Sequence, residues 1–284
     1  MRQSSIQDKP VLWKSRIESE LPVWQDYFET IGQLPDHHFP TCNDLNALLP
    51  RGLTSHSDQA IRFCSSNTLP NDDYEQRIYS TGQVSTRAEN WHDLFNALVW
   101  MRFPRIKSAM NALHYRARPE NKTGTRGAQR DALTLFDECG AIVFSDQPEL
   151  LNALFAHRWK QAFQVGGNDH DGNSRCSGLQ VIIPGHAMLE KYLSPYKAMT
   201  AKALLVEVDP PFMKLRRNQQ VDFLDDKISR QMMAGTVMSS PGDLTPLPVA
   251  GIPGWWPWDD QKQEFYNNTH VFRAPKNVNS GNCL

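Results

Sequence analysis

"LQVIIPGHAMLEKYLSPYKAMTAKALLVEV", residues 179–208, decides the fold class of this chain. It reads as strand, turn, helix, turn, strand, because two apolar runs rich in Val, Ile and Leu flank a helical segment bounded by Pro184-Gly185 and Pro195. Upstream, "AIVF" at 141–144 has the look of a short buried strand. Strand and helix signals therefore alternate from 141 to 208 and predict at least one α/β unit. Everything else in the chain that carries a period is helical, so the expectation is α+β, predominantly helical with a small sheet.

Working outward, "STRAENWHDLFNALVWMRFP" predicts a helix reaching Phe103, with Thr86 and Glu89 at capping-box spacing. Leu94, Leu98 and Met101 form its apolar stripe, widened by Phe95 and Val99, and Pro104 marks the break before a second helix in "RIKSAMNALHYRA". "RGAQRDALTLFDECG" predicts a third helix that Gly140 ends. "PELLNALFAHRWKQAF" reads as one amphipathic helix with Leu150, Leu151, Leu154 and Phe155 on the buried side. Residues 1–80 show short apolar groups between Pro- and Asn/Asp-rich stretches, which predicts short helices and loops. The expected organisation is an irregular segment over 1–60 packed on the core, a single domain over 61–273 and a disordered tail over 274–284.

The 284 residues are 40% hydrophobic and 21% charged, with 30 basic against 31 acidic side chains. That is enough chain to bury a substantial core. A net charge of −1 speaks against bulk nucleic-acid binding, which needs clustered Lys and Arg to neutralise phosphates. Five cysteines stand singly, with no C-x-x-C pair. The N-terminus lacks an apolar signal region, and no run approaches the ~18 apolar residues that span a bilayer. A cytoplasmic protein without a membrane partner is expected.

The first two helices each carry a polar stripe beside the apolar one: His92, Asp93, Asn96 and Trp100 on one, and Lys107, Asn111 and His114 on the other. Arg126, Arg130, Thr134 and Asp137 or Glu138 follow a helical line on the third, while His186 and Glu190 stand at i and i+4 within 179–208, with Lys197 beyond. Desolvating an uncompensated charge costs several kcal/mol, so these groups must face solvent or meet one another. Three features read more blandly. His37-His38 is a surface loop with no third ligand at helical spacing, and Asp169-His170-Asp171 is a flexible loop lacking the closing glutamate of an EF-hand. "GWWPW" is a rigid segment over the core, with Trp255 and Trp256 buried and Trp258 nearer the surface beside Asp259.

Four ordered motifs, "NWHDLFNALVWMRFPRIKSAMNAL", "TRGAQRDALTLFDECGA", "GHAMLEKYLSPYKAMTAKALLV" and "PLPVAGIPGWWPWDDQKQEFYNNTHVFR", resemble the bacterial domain of unknown function family 3025 over roughly residues 60–273. The resemblance implies relatives, and no activity, cofactor or catalytic residue.

Three readings of the polar groups stay open. In the first, the helices converge. His92, Asp137, Glu138, His186 and Glu190 then supply imidazole and carboxylate ligands to a divalent cation, and His92, Asp93, Asp137 and His186 carry the chemistry. Lys107, Arg126, Arg130 and Lys197 face a small anionic, phosphate-bearing substrate. A metal-assisted hydrolase or transferase would follow, the metal polarising a phosphoryl oxygen and generating hydroxide. In the second, the same basic groups bind an anion without turning it over. In the third the cluster is architectural, with Arg130 paired to Asp137 or Asp93 and His186 bonded to Glu190 or a backbone carbonyl, in a protein that works by interaction. Within these readings Arg126, at the end of a Gly-flanked loop, is expected to face substrate, and Arg130, beside Asp131, to be ion-paired.

Overall fold

The structure, a computed structural model, describes residues 13–18, 20–70, 73–117, 124–163, 178–257 and 260–275, with only the backbone for 124–126. Helices α1 (Phe28–Gln33) and α2 (Cys42–Ala47) lead into β1 (Arg62–Ser65), α3 (Tyr74–Thr81) and β2 (Gln83–Thr86). β1 and β2 pair in parallel from Arg62 with Gln83 to Ser65 with Thr86. The turn into β2 needs Gly82, whose φ is 71° and whose place a Cβ would fill 2.1 Å from the Ala60 carbonyl oxygen. Strand β1 departs from the loops and short helices expected over 1–80. In β1 only Phe63 is buried, so the four residues carry no alternation to read.

Next come α4 (Trp91–Arg102) and α5 (Pro104–Arg116). The expected cap on α4 is corrected: Asn90, not Thr86, is the N-cap, its side chain accepting from the Asp93 N–H at 3.0 Å. Thr86 belongs to β2, and Glu89 has φ 50°, a left-handed conformation that cannot lie in a first helical turn. Helix α6 (Gly124–Cys139) runs straight into β3 (Gly140–Ser145), as the position of Gly140 predicts. The single helix expected over 148–163 is two, α7 (Pro148–Phe155) and α8 (Trp159–Ala162), because His157 at φ 56° breaks the helical path. With the break, Phe155 turns outward and is 65% exposed, whereas Leu150, Leu151 and Leu154 are buried.

The chain continues through β4 (Gln180–Ile182), α9 (His186–Lys191), β5 (Thr200–Glu207), α10 (Pro210–Met213), α11 (Arg217–Met233) and β6 (Thr245–Pro248). The expected strand, helix and strand of 179–208 are β4, α9 and β5. The larger sheet has the order β4-β3-β5-β6, with β3 and β5 parallel and the outer pairs antiparallel. All six residues of β3 are buried, so both its faces are covered, and "AIVF" is apolar throughout for that reason. With eleven α-helices and six strands in two small sheets among the described residues, the fold is α+β and predominantly helical.

The N-terminal residues take part in the core. Trp24 stacks on Phe95 at 5.5 Å, Tyr27 Oη donates to the Ile183 carbonyl at 2.6 Å, and Asp26 accepts two bonds from Arg217 at 2.7 and 2.8 Å. Trp255 is buried against Tyr192, while Trp256 is half-exposed and donates to Asp260, against the expectation of two buried rings. Trp258, Asp259, Asp169, His170 and Asp171 lie outside the described residues. Among the described residues no helix is long and apolar enough to cross a membrane.

Candidate functional site

The Asn90 cap fixes the phase of α4, so His92, Asp93 and Asn96 fall on the flank that faces α9 and the end of α6. Helix α9 is held close to α6 by a glycine contact. The Gly185 N–H donates to the Gly140 carbonyl at 3.1 Å, and a Cβ on Gly185 would stand 2.3 Å from the Gly140 nitrogen. That approach sets His186, the first residue of α9, beside Asp137 and Glu138 in the last turn of α6. A cavity of about 310 Å³ opens there. His92, Asp93, Arg130, Asp137, Glu138 and His186 all line it, although the first and last are 94 positions apart in the chain.

At its wall the two imidazoles face each other, His92 Nε2 and His186 Nε2 standing 2.9 Å apart. His92 Nδ1 is 3.1 Å from Glu190 Oε2. A carboxylate only accepts, so the His92 proton sits on Nδ1 and its Nε2 presents a lone pair. The buried Nδ1 of His186 has no hydrogen-bond partner among the described residues and faces Asp137 Oδ1 at 3.6 Å. With its proton turned to that carboxylate, the second Nε2 lone pair meets the first. Two lone pairs at this separation repel unless a proton or a cation lies between them. Glu138 Oε1 is 3.9 Å from His186 Nε2, and one donor atom from each of His92, Glu138 and His186 lies within 4.8 Å of the others.

Asp137 is fixed in its charged state. Burial opposes its ionisation, but Lys107, bound at 2.6 Å, and His186 override burial and hold the carboxyl well below the usual carboxylate range. Asp93 is also committed: Arg87 grips it with Nε at 2.9 Å, Nη2 at 2.7 Å and its own backbone N–H at 2.6 Å. Asn96 donates to Tyr74 Oη at 3.0 Å.

The placement of the expected basic groups differs from the sequence reading. Lys107 is buried and spends its ammonium on Asp137, not on an open anion site. Lys197 does not line the cavity, and pairs with Asp260 at 2.9 Å. Arg130, expected to pair with Asp137 or Asp93, is exposed on the cavity wall with no carboxylate partner among the described residues, because Lys107 and Arg87 occupy those acids. His186 meets His92, not Glu190. The side chain of Arg126 lies outside the described residues.

Tyr74, Glu75, Ser85 and Arg87 also line the cavity and were absent from the expected set. One signal for the first two was available: Asp73 and Gln76 have N-cap to N3 spacing, and the Asp73 side chain does accept from the Gln76 N–H at 2.9 Å. Arg87 carries no such mark, since its partner is fixed only by the fold.

Fold and site together define an α+β, mainly helical protein with a partly buried histidine–carboxylate cluster at the junction of α4, α6 and α9. Residues 61–276 match the family described as "Protein of unknown function (DUF3025)", and the chain belongs to that family. No curated protein and no solved structure matches the chain.

Proposed function

We propose that this protein is a metal-assisted hydrolase or transferase acting on a phosphate-bearing substrate, with His92, His186 and Glu138 as ligands of one divalent cation. The observation that carries the reading is the pair of Nε2 atoms 2.9 Å apart, each backed at Nδ1 by a carboxylate. Two imidazoles bound to one tetrahedral Zn²⁺ at ~2.0–2.1 Å have nitrogens about 3.3 Å apart, so a small opening of the pair would admit the ion. Glu190 and Asp137 would then serve as the outer carboxylates that orient metal-bound histidines. Two imidazoles and one carboxylate leave a fourth position for water, and the cation would supply a nucleophile at neutral pH and polarise a phosphoryl oxygen. Arg130 and the exposed outer part of Arg87 supply positive charge on the same cavity wall for an anionic substrate. Arg130, exposed on the cavity wall, equally suits a protein that binds an anion without turning it over, and turnover separates the two.

Titration of the full chain with Zn²⁺ by calorimetry tests the centre. One ion should bind per chain, His92→Ala, Glu138→Ala or His186→Ala should each weaken binding at least tenfold, and Glu190→Gln should weaken it about 10–100-fold. Release of phosphate from phenyl phosphate should stop on chelation. Undiminished Zn²⁺ affinity in His186→Ala, or no binding by the parent, would remove the metal centre and leave an imidazole pair sharing a proton.

A further inference from the structure

Four acidic side chains line the cavity: Glu75, Asp93, Asp137 and Glu138. Three have employment already. Asp93 is held by Arg87, Asp137 by Lys107, and Glu138 stands with the two imidazoles. Glu75 is different. Its carboxylate takes one hydrogen bond, from Asn111 Nδ2 to Oε2 at 2.7 Å, and the same nitrogen reaches the Glu75 carbonyl at 2.9 Å. The other carboxylate oxygen has no partner, and no cation pairs with the group, among the described residues. A half-buried carboxylate anchored by one neutral amide on the wall of a reaction cavity is poorly suited to architecture. Asn111 fixes its position and leaves one oxygen for something in the cavity.

We infer that Glu75 is the proton-transfer residue of this site, taking a proton from the nucleophilic water and returning it to the leaving group. The inference rests on the metal-centre reading above. In the step, the water oxygen forms the new bond to phosphorus while its proton passes to the Glu75 carboxylate. The ester P–O bond breaks, and the leaving alkoxide or phenoxide takes the proton from Glu75. Water and ester become phosphate and alcohol, and Glu75 ends as it began. The sequence reading placed His92 and His186 among the groups that carry the chemistry, but an imidazole whose Nε2 faces a cation cannot also carry the proton.

The electrostatics around Glu75 suit the role. Burial is the largest influence and pushes its carboxyl up to about 7, with Asp137 of α6 and Asp73 of its own helix adding to the rise. The Asn111 bond and Lys107 of α5 oppose it. A group titrating near neutrality serves as both base and acid. His114, the remaining imidazole on the wall, is a weaker base: burial lowers its pKa first, and Arg130 and Lys107 lower it further against the pull of Asp137.

The test begins with Zn²⁺ alone. If calorimetry detects no ion on the parent chain, the metal centre and this inference fall together. If the ion binds, infrared difference spectra between pH 5 and 9 follow the carbonyl stretch of protonated carboxyls. The parent should show a band lost near pH 7 that Glu75→Gln lacks, and Zn²⁺ should move that loss at least about one pH unit lower, since a nearby cation favours the anion. Glu75→Gln should bind Zn²⁺ as tightly as the parent yet release phosphate from phenyl phosphate about 10²–10⁴-fold more slowly. The band decides without turnover. Zn²⁺ bound by the parent with the Glu75 band unmoved, or a slowed rate that follows His114→Ala and not Glu75→Gln, would overturn the assignment while the metal centre stands.

Discussion

Lys107 has the plainest consequences of any single residue. Its ammonium is buried, bonded to Asp137 at 2.6 Å, and lies over the Trp100 ring at 5.5 Å. A buried pair adds little over an apolar replacement of both partners, but removing one partner strands the other charge. Lys107→Met should therefore cost about 3–5 kcal/mol in denaturant unfolding. Adding Asp137→Asn should recover much of that loss, so the two effects should be strongly non-additive. A Lys107→Met protein that keeps its stability and merely binds phosphate less well would restore the substrate-facing role that the sequence suggests. The spacing of Lys107, Asn111 and His114 shows that these groups share a flank of α5. It does not show which acid they meet, because that acid arrives from another helix.

At the scale of an element, α6 divides its labour along its length. Phe136, Ala132 and Leu133 are buried, Asp137 and Glu138 enter the site at its end, and Arg130 rides exposed two turns earlier on the cavity wall. Exposed and without a carboxylate partner among the described residues, Arg130 should contribute little to folding. Arg130→Ala should shift stability by no more than ~0.5 kcal/mol, visible as an almost unchanged melting temperature, while weakening the stabilisation that added inorganic phosphate gives the parent. A large drop in melting temperature would mean that Arg130 has a buried acid to hold after all. Helices were legible where period and punctuation agree, as in α5, which Pro104 opens, and α6, which Gly140 stops. They were less so where a backbone conformation decides: nothing in "LFAHRW" announces that His157 turns left-handed and splits α7 from α8. The strand pair β1–β2 was hidden for the opposite reason: each strand is four residues long, too short to imprint a period.

For the whole molecule, the family match begins at residue 61, but the core does not. Trp24 and Tyr27 are buried, Tyr27 is bonded to the chain just past β4, and Arg217 of α11 reaches both Asp26 and the Val181 carbonyl. Deleting residues 1–60 should therefore yield a fragment that has lost its near-UV circular dichroism and binds a hydrophobic dye, not a smaller cooperative protein. A fragment melting cooperatively at the parent's temperature would show that these contacts only decorate the domain. The inventory of the candidate site was readable because imidazoles and carboxylates recur on apolar helices, where they need a reason. Its pairing was not readable. Arg87 with Asp93 is six residues apart and could have been guessed, but Lys107 with Asp137 and His92 with His186 exist only once the helices dock.

The three donors His92, Glu138 and His186 come from three helices, at nearly equal intervals along the chain. In an unfolded chain two long loops must close before any ion could meet all of them, and that entropy makes the extended polypeptide a poor chelator. An ion that needs the full set would then recognise the folded state almost exclusively. Each tenfold excess of free ion over its dissociation constant would add about 1.4 kcal/mol to the stability of the fold. The supply of metal in the surroundings would in this way set how long the protein survives, apart from anything it catalyses.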